Sequence, residues 1–133
     1  MTTNYTFRDE CKLKYNENIY LRFCEIFIFL PVCAIIDEKI FCIHGGITPT
    51  FSISQINNED RFEELPCFYD VYWSDPDENI DDFEHSTRGA GFLFGKSVTE
   101  KFLAENNFCC IVRSHQLVES GFDKKFNGKV LTV

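Results

Sequence analysis

Three side chains in this sequence sit where metal or phosphate chemistry could be done: His44, Arg88 and His115. His44 follows the apolar run Ile40-Phe41-Cys42-Ile43 and precedes Gly45-Gly46, with Pro49 closing the turn. His115 follows a second apolar run, Cys109 to Val112, after the polar step Arg113-Ser114. A neutral imidazole at a strand end suits zinc, iron or manganese, and bare glycine backbone beside it leaves room for a ligand to approach. Each His taken alone also fits a hydrogen-bonded structural residue. Arg88 stands between an acidic loop and a glycine-punctuated apolar run; its planar fork matches two phosphate oxygens. A plain ion pair with Asp81, Asp82 or Glu84 fits the same spacing.

Two imidazoles are an incomplete ligand set, because a catalytic site ordinarily has three or more protein ligands. Asp70, Asp75 and Asp77 compete for the remaining places, and spacing does not choose among them. His85, among Asp, Glu and Ser, reads as solvated. Trp73, beside Tyr69 and Tyr72, reads as core.

The elements that must carry these groups follow from periodicity. Phe7 to Tyr15 reads as a short amphipathic helix, and Ile19 to Phe29 as a second one, buried on most of its surface and ended near Pro31. Cys33–Ile36 and Ile40–Ile43 read as a hairpin joined by Asp37-Glu38-Lys39. Residues 51–87 are rich in turn formers and acids, with an aromatic run from Phe68 to Trp73. Lys96 to Asn106 has helical spacing, with Val98, Phe102 and Leu103 on one face, and Asn106-Asn107 breaks it. Cys109–Val112 and Lys129–Val133 read as further strands. This order suggests an α/β or α+β layer, and parallel strand ends in such a layer can bring His44 and His115 to one sheet edge.

The chain has 133 residues, enough for one domain. Its fifteen Phe predict an aromatic core. A net charge of −8 argues against a nucleic-acid backbone as the main partner, but not against phosphorylated substrates, since a bound metal reverses the local field. The seven Cys are odd in number and lie mostly in apolar runs without a Cys-x-x-Cys pair, which predicts reduced thiols in an intracellular protein, cytoplasmic or nuclear. No stretch is long and apolar enough for a bilayer span, and the first residues lack the pattern of a signal peptide.

Four ordered motifs carry a family resemblance: Ile43-His44-Gly45-Gly46; Trp73-Ser74-Asp75-Pro76-Asp77; Arg88-Gly89 with Phe94-Gly95; and Arg113-Ser114-His115-Gln116. With Phe7-Arg8-Asp9-Glu10-Cys11 and Lys14-Tyr15 before them, they make nearly the whole chain resemble the C-terminal part of a PPP-type serine/threonine protein phosphatase catalytic domain, the protein phosphatase 1, protein phosphatase 2A and calcineurin group. The resemblance implies an α/β fold, a partial metallophosphoesterase-type β-sandwich flanked by helices with its N-terminal half missing, so that residues 1–133 form an incomplete catalytic domain. It implies that His44 and His115 are ligands of the same one of two divalent metal ions (manganese, iron or zinc), that Arg88 binds the substrate phosphate, and that Trp73 and Asp75 line the neighbouring groove. It implies hydrolysis of phosphoserine and phosphothreonine in proteins by direct attack of water without a phosphoenzyme, and regulatory subunits as partners.

The family's Asp-x-His, Gly-Asp-x-x-Asp-Arg-Gly and Gly-Asn-His-Glu motifs do not occur, and Ser-Ala-Pro-Asn-Tyr would follow Val133. Of the expected metal ligands only His44 and His115 remain, giving at most one partial metal site and no general acid. The chain by itself is therefore expected to lack substantial phosphatase activity. The alternative is a non-catalytic fragment or interaction protein that keeps the phosphatase scaffold.

Overall fold

A computed structural model describes residues 2–56 and 66–133. The chain forms two compact units, residues 1–31 and 32–133.

The first unit is a helical hairpin of α1 (Phe7–Lys14) and α2 (Glu17–Phe27). Asn16 begins α2 because its carboxamide oxygen accepts the Ile19 N–H at 3.1 Å, satisfying one of the donors a helix start leaves unpaired. Phe7 packs against Tyr20, Phe23 and Phe27 at ring-centroid distances of 6.3, 5.5 and 5.7 Å. The expectation that the second helix buries most of its surface is corrected here. Of its residues only Tyr20 is buried, while Leu21, Ile26 and Phe27 remain exposed. One short partner helix can cover one face and no more.

The second unit opens with the hairpin read from the sequence, β1 (Cys33–Ile36) paired antiparallel with β2 (Ile40–Ile43). Asp37 and Glu38 both take positive φ, 50° and 55°, and the Lys39 N–H closes the turn on the Ile36 carbonyl at 3.0 Å. That is the primed turn whose twist suits a hairpin, made here without glycine. After α3 (Ile53–Ile56) and α4 (Pro66–Trp73) comes a small sheet of β3 (Asp75–Pro76), β4 (Phe83–His85) and β5 (Phe92–Phe94), in the order β3-β5-β4. Helix α5 (Lys96–Asn106) ends at Asn107, which adopts the left-handed conformation with φ 59°. Strand β6 (Cys110–Arg113), edge strand β7 (Asp123–Lys125), a 3₁₀ turn (Phe126–Gly128) and β8 (Val130–Thr132) complete the unit.

The larger sheet has the order β1-β2-β6-β8-β7, with β2 parallel to β6 and β6 parallel to β8. Residues alternate across it: Phe41, Ile43, Ile111, Arg113, Val130 and Thr132 are buried, while Cys42, Cys110, Val112 and Leu131 are half-buried on the other face. The buried face is aromatic as the composition predicts. Phe41 stacks on Phe108 at 5.6 Å and meets Phe102 at 5.1 Å, and Val98, Phe102 and Leu103 of α5 all join this core. Among the described residues no helix is long and apolar enough to cross a membrane.

Candidate metal and phosphate site

The site lies at the C-terminal ends of β2 and β6. Because these strands run parallel with Cys42 opposite Val112, His44 and His115 leave the sheet on the same side. The Ser114 N–H donates to the His44 carbonyl at 3.0 Å, tying the two turns together. His115 then adopts φ 66°, a left-handed conformation uncommon for a residue with a side chain. Its ring lies edge-on to His44, with centroids 5.2 Å apart, and edge-on to Trp73 at 5.4 Å. Trp73, read from spacing as core and from the resemblance as groove lining, is thus packed on an imidazole at the site.

Gly45 and Gly46 act differently from the sequence expectation. Neither takes a positive φ, and the space beside them is filled by protein. A methyl on Gly45 would run into the backbone of Val71 and Tyr72, and one on Gly46 into the Phe94 ring. The Gly46 N–H donates to the Val71 carbonyl at 2.9 Å. Gly45 therefore admits the end of α4, which brings Trp73, Ser74 and Asp75 beside His44, and Gly46 admits the Phe94 ring.

Asp75 is 3% exposed and divides its carboxylate between two arginines. Oδ2 accepts from Arg88 Nε at 2.8 Å, and Oδ1 accepts from Arg113 Nη2 at 2.7 Å. The alternative pairing of Arg88 with Asp81, Asp82 or Glu84 is not what the structure contains. The Arg88 side chain remains 44% exposed, and among the described residues its two terminal amino groups have no partner. Asp70 accepts the Gly91 N–H at 2.9 Å, and Asp77 accepts from the backbone and side chain of Asn79, both at 2.8 Å. All three candidate carboxylates are thus engaged with protein donors. His85 is exposed, against Phe92 at a centroid distance of 5.0 Å.

Arg113 is the residue that sequence reasoning passes over. It is 1% exposed, and its fork donates from Nε to Gly45 O at 2.6 Å, from Nη1 to Gln116 Oε1 at 2.9 Å and from Nη2 to Ser74 O at 3.0 Å, besides Asp75. The available signal is its place in the strand pattern, which points it to the same face as Ile111.

Burial pulls both imidazoles below their ordinary pKa. For His44 the neighbouring Arg113 adds to this effect and Asp75 opposes it. For His115 Asp75 opposes burial, while Arg113, His44 and Arg88 reinforce it. Both shifts favour the neutral ring, which has a lone pair to offer. His115 Nε2 is buried and has no hydrogen-bond partner among the described residues, as a ligand atom awaiting a cation would be. The pair fits two positions of one divalent metal. Among the described residues no cluster of three or more His, Cys, Asp or Glu completes the set.

Comparison with known proteins places this geometry in context. The sequence model of the calcineurin-like phosphoesterase family matches residues 4–119. The chain is 46% identical over 134 residues to the serine/threonine-protein phosphatase 6 catalytic subunit of Caenorhabditis elegans, covering 97% of this chain and 40% of the relative. It is 45% identical over 138 residues to a protein phosphatase 2A catalytic subunit of Dictyostelium discoideum, covering 100% of this chain and 44% of that protein. A solved Saccharomyces cerevisiae serine/threonine phosphatase, described as similar to human phosphatase PP5, superposes with a TM-score of 0.84 at 35% identity, over 96% of this chain and 41% of that one. The chain thus spans about two-fifths of the length of these relatives.

Proposed function

The chain belongs to the calcineurin-like phosphoesterase family, and we propose that it is the part of a serine/threonine protein phosphatase catalytic domain that supplies two metal-ligating imidazoles and the phosphate-binding arginine. The observation that carries this reading is the meeting of His44 and His115, 5.2 Å apart, at the ends of adjacent parallel strands. Both would hold the same metal of a divalent pair, with manganese, iron and zinc all compatible with imidazole. When bound, such ions lower the pKa of water toward neutrality and offset the charge developing on a phosphoryl group.

The chain's own residues do the rest. Asp75 holds Arg88 by Nε and leaves its two terminal amino groups to fork two phosphoryl oxygens. Exposure of Arg88 lets a phosphorylated side chain reach it from solvent. Trp73 walls the His115 ring on one side. Phosphoserine and phosphothreonine in proteins are the substrate class by similarity to the phosphatase relatives. Their description as catalytic subunits supports regulatory subunits as partners. The six described cysteines are all free, which agrees with a reducing intracellular setting, cytoplasmic or nuclear.

The test is a chimera of the Caenorhabditis elegans relative in which this chain replaces the matching segment. It should hydrolyse phosphoserine and phosphothreonine peptides. His44→Ala and His115→Ala should each lower kcat by about 100-fold or more, and Arg88→Ala should raise KM with a further loss in kcat. A folded chimera whose turnover ignores His44 and His115 would sink the reading. A non-catalytic role for the 133 residues alone is favoured by the two-imidazole set. The isolated polypeptide should give no substantial turnover of a phosphopeptide with added manganese, and turnover abolished by His44→Ala would refute that expectation.

A further inference from the structure

We infer that Arg113 is the positioning residue of this site: its buried guanidinium fixes the turns carrying His44 and His115 and the end of α4 carrying Trp73 to one another, so that the two imidazoles face each other before any metal arrives. The inference rests on the reading of His44 and His115 as a metal pair. Its argument is the direction of the bonds. Gly45 O follows His44 by one residue, Ser74 O follows Trp73 by one, and Gln116 follows His115 by one; each accepts from a different nitrogen of the same planar group.

Neutralising Asp75 would not by itself require this arrangement. Asp75 already has Arg88, and an ion pair uses one bond where Arg113 makes four to three chain segments. Buried ion pairs can often be replaced by apolar groups without loss of stability, so charge pairing does not explain the fork. The second observation is His115 itself. Its positive φ of 66° aims the ring at His44, and it is bracketed by the Gln116 N–H donating to Ser114 O at 2.7 Å and by the Gln116 side chain held on Arg113 at 2.9 Å. Releasing Gln116 lets His115 return to an ordinary conformation and turns its ring away. Lysine at this position keeps the charge, but a single ammonium cannot reproduce the planar fork.

The test uses the 133-residue chain. Ring-to-ring nuclear Overhauser effects between His44 and His115 are measured without metal, and cobalt(II) is then titrated and followed by paramagnetic broadening of the same rings. Arg113→Lys should melt cooperatively, lose the inter-ring effect and bind cobalt(II) about tenfold or more weakly, the scale expected when a ligand's support is removed. Gln116→Leu, which cuts one bond of the fork, should fall between the parent and Arg113→Lys. A folded Arg113→Lys chain that keeps the inter-ring effect and binds cobalt(II) within about twofold of the parent overturns the inference. Should Arg113→Lys fail to fold, Gln116→Leu decides by the same two readouts, and parent-like behaviour overturns it. If His44→Ala binds cobalt(II) as the parent does, the metal reading falls, and the metal-free ring effect still decides the role of Arg113.

Discussion

Two arginine–carboxylate pairs, one in each unit, look alike as distances and differ in what they hold. In the helical hairpin, Arg8 Nη2 meets Glu17 Oε1 at 2.6 Å, with both side chains 39% exposed. In the α/β unit, Arg113 Nη2 meets Asp75 Oδ1 at 2.7 Å, with the two side chains 0% and 4% exposed. Water competes for the first pair and salt screens it, so it adds little to the packing of Phe7 on α2. The second pair has no water to fall back on. Breaking it by removing one partner strands a charge, and each remaining Arg113 bond goes to a chain segment of the site. Separation therefore says little about an ion pair's weight; burial and the identity of the neighbouring acceptors say much more.

The comparison can be broken first at Asp75. Asp75→Ala leaves Arg113 buried with one acceptor fewer, and urea unfolding followed by Trp73 fluorescence should show a loss of about 3–5 kcal/mol. A loss under about 1 kcal/mol would put this pair in the same class as Arg8–Glu17. Next comes Gly45→Ala. Its methyl meets the carbonyl end of α4, and the overpacking should cost about 1–3 kcal/mol in the same measurement. In the hairpin the larger effect should come from a cap and not from a charge: Asn16→Ala removes the acceptor for the Ile19 N–H and should cost about 1 kcal/mol, read as lost helicity on heating.

The smallest effect is Glu17→Gln, which should not resolve from the parent at about 0.15 M salt. Its pH dependence has a definite sign. The hydrogen bonds from Arg8 and Lys12 lower the Glu17 pKa below 4.5. Its contribution is thus complete above the ordinary carboxylate range and is lost as pH falls through the lowered value. Acid titration of hairpin melting at low salt should show this small downward step in the parent and not in Glu17→Gln. A step as large as that caused by Asp75→Ala would erase the contrast between the units.

Much of this is legible in the sequence because it is local. The β1–β2 hairpin and α5 have the bounds that apolar runs, helical spacing and breakers give them, and four motifs in order carry the PPP-type phosphatase resemblance, which agrees with the calcineurin-like phosphoesterase family match. Strands β4 and β7 are not legible. Phe83-Glu84-His85 falls in the stretch read as turn formers and acids, and Asp123-Lys124-Lys125 carries no strand signal, because both lie at sheet edges, where charge is tolerated and pairing is one-sided. The bonds of Arg113 are hidden for another reason: its acceptors lie as far as 68 residues away, and alternation tells which face it points to but not what waits there. The role of Gly45 and Gly46 is ambiguous in sequence because a missing side chain can admit a helix end or an aromatic ring as readily as a ligand.

That long separation has a kinetic side. Strands β2 and β6 are neighbours in space but bracket everything from the first His turn to the end of α5, so their pairing closes one of the largest loops in the chain. Chain entropy opposes such a closure until the intervening core can repay it, which places it late in folding. While those strands stay apart the two histidines stay apart too, and the rings of His44 and His115 meet only with the finished sheet.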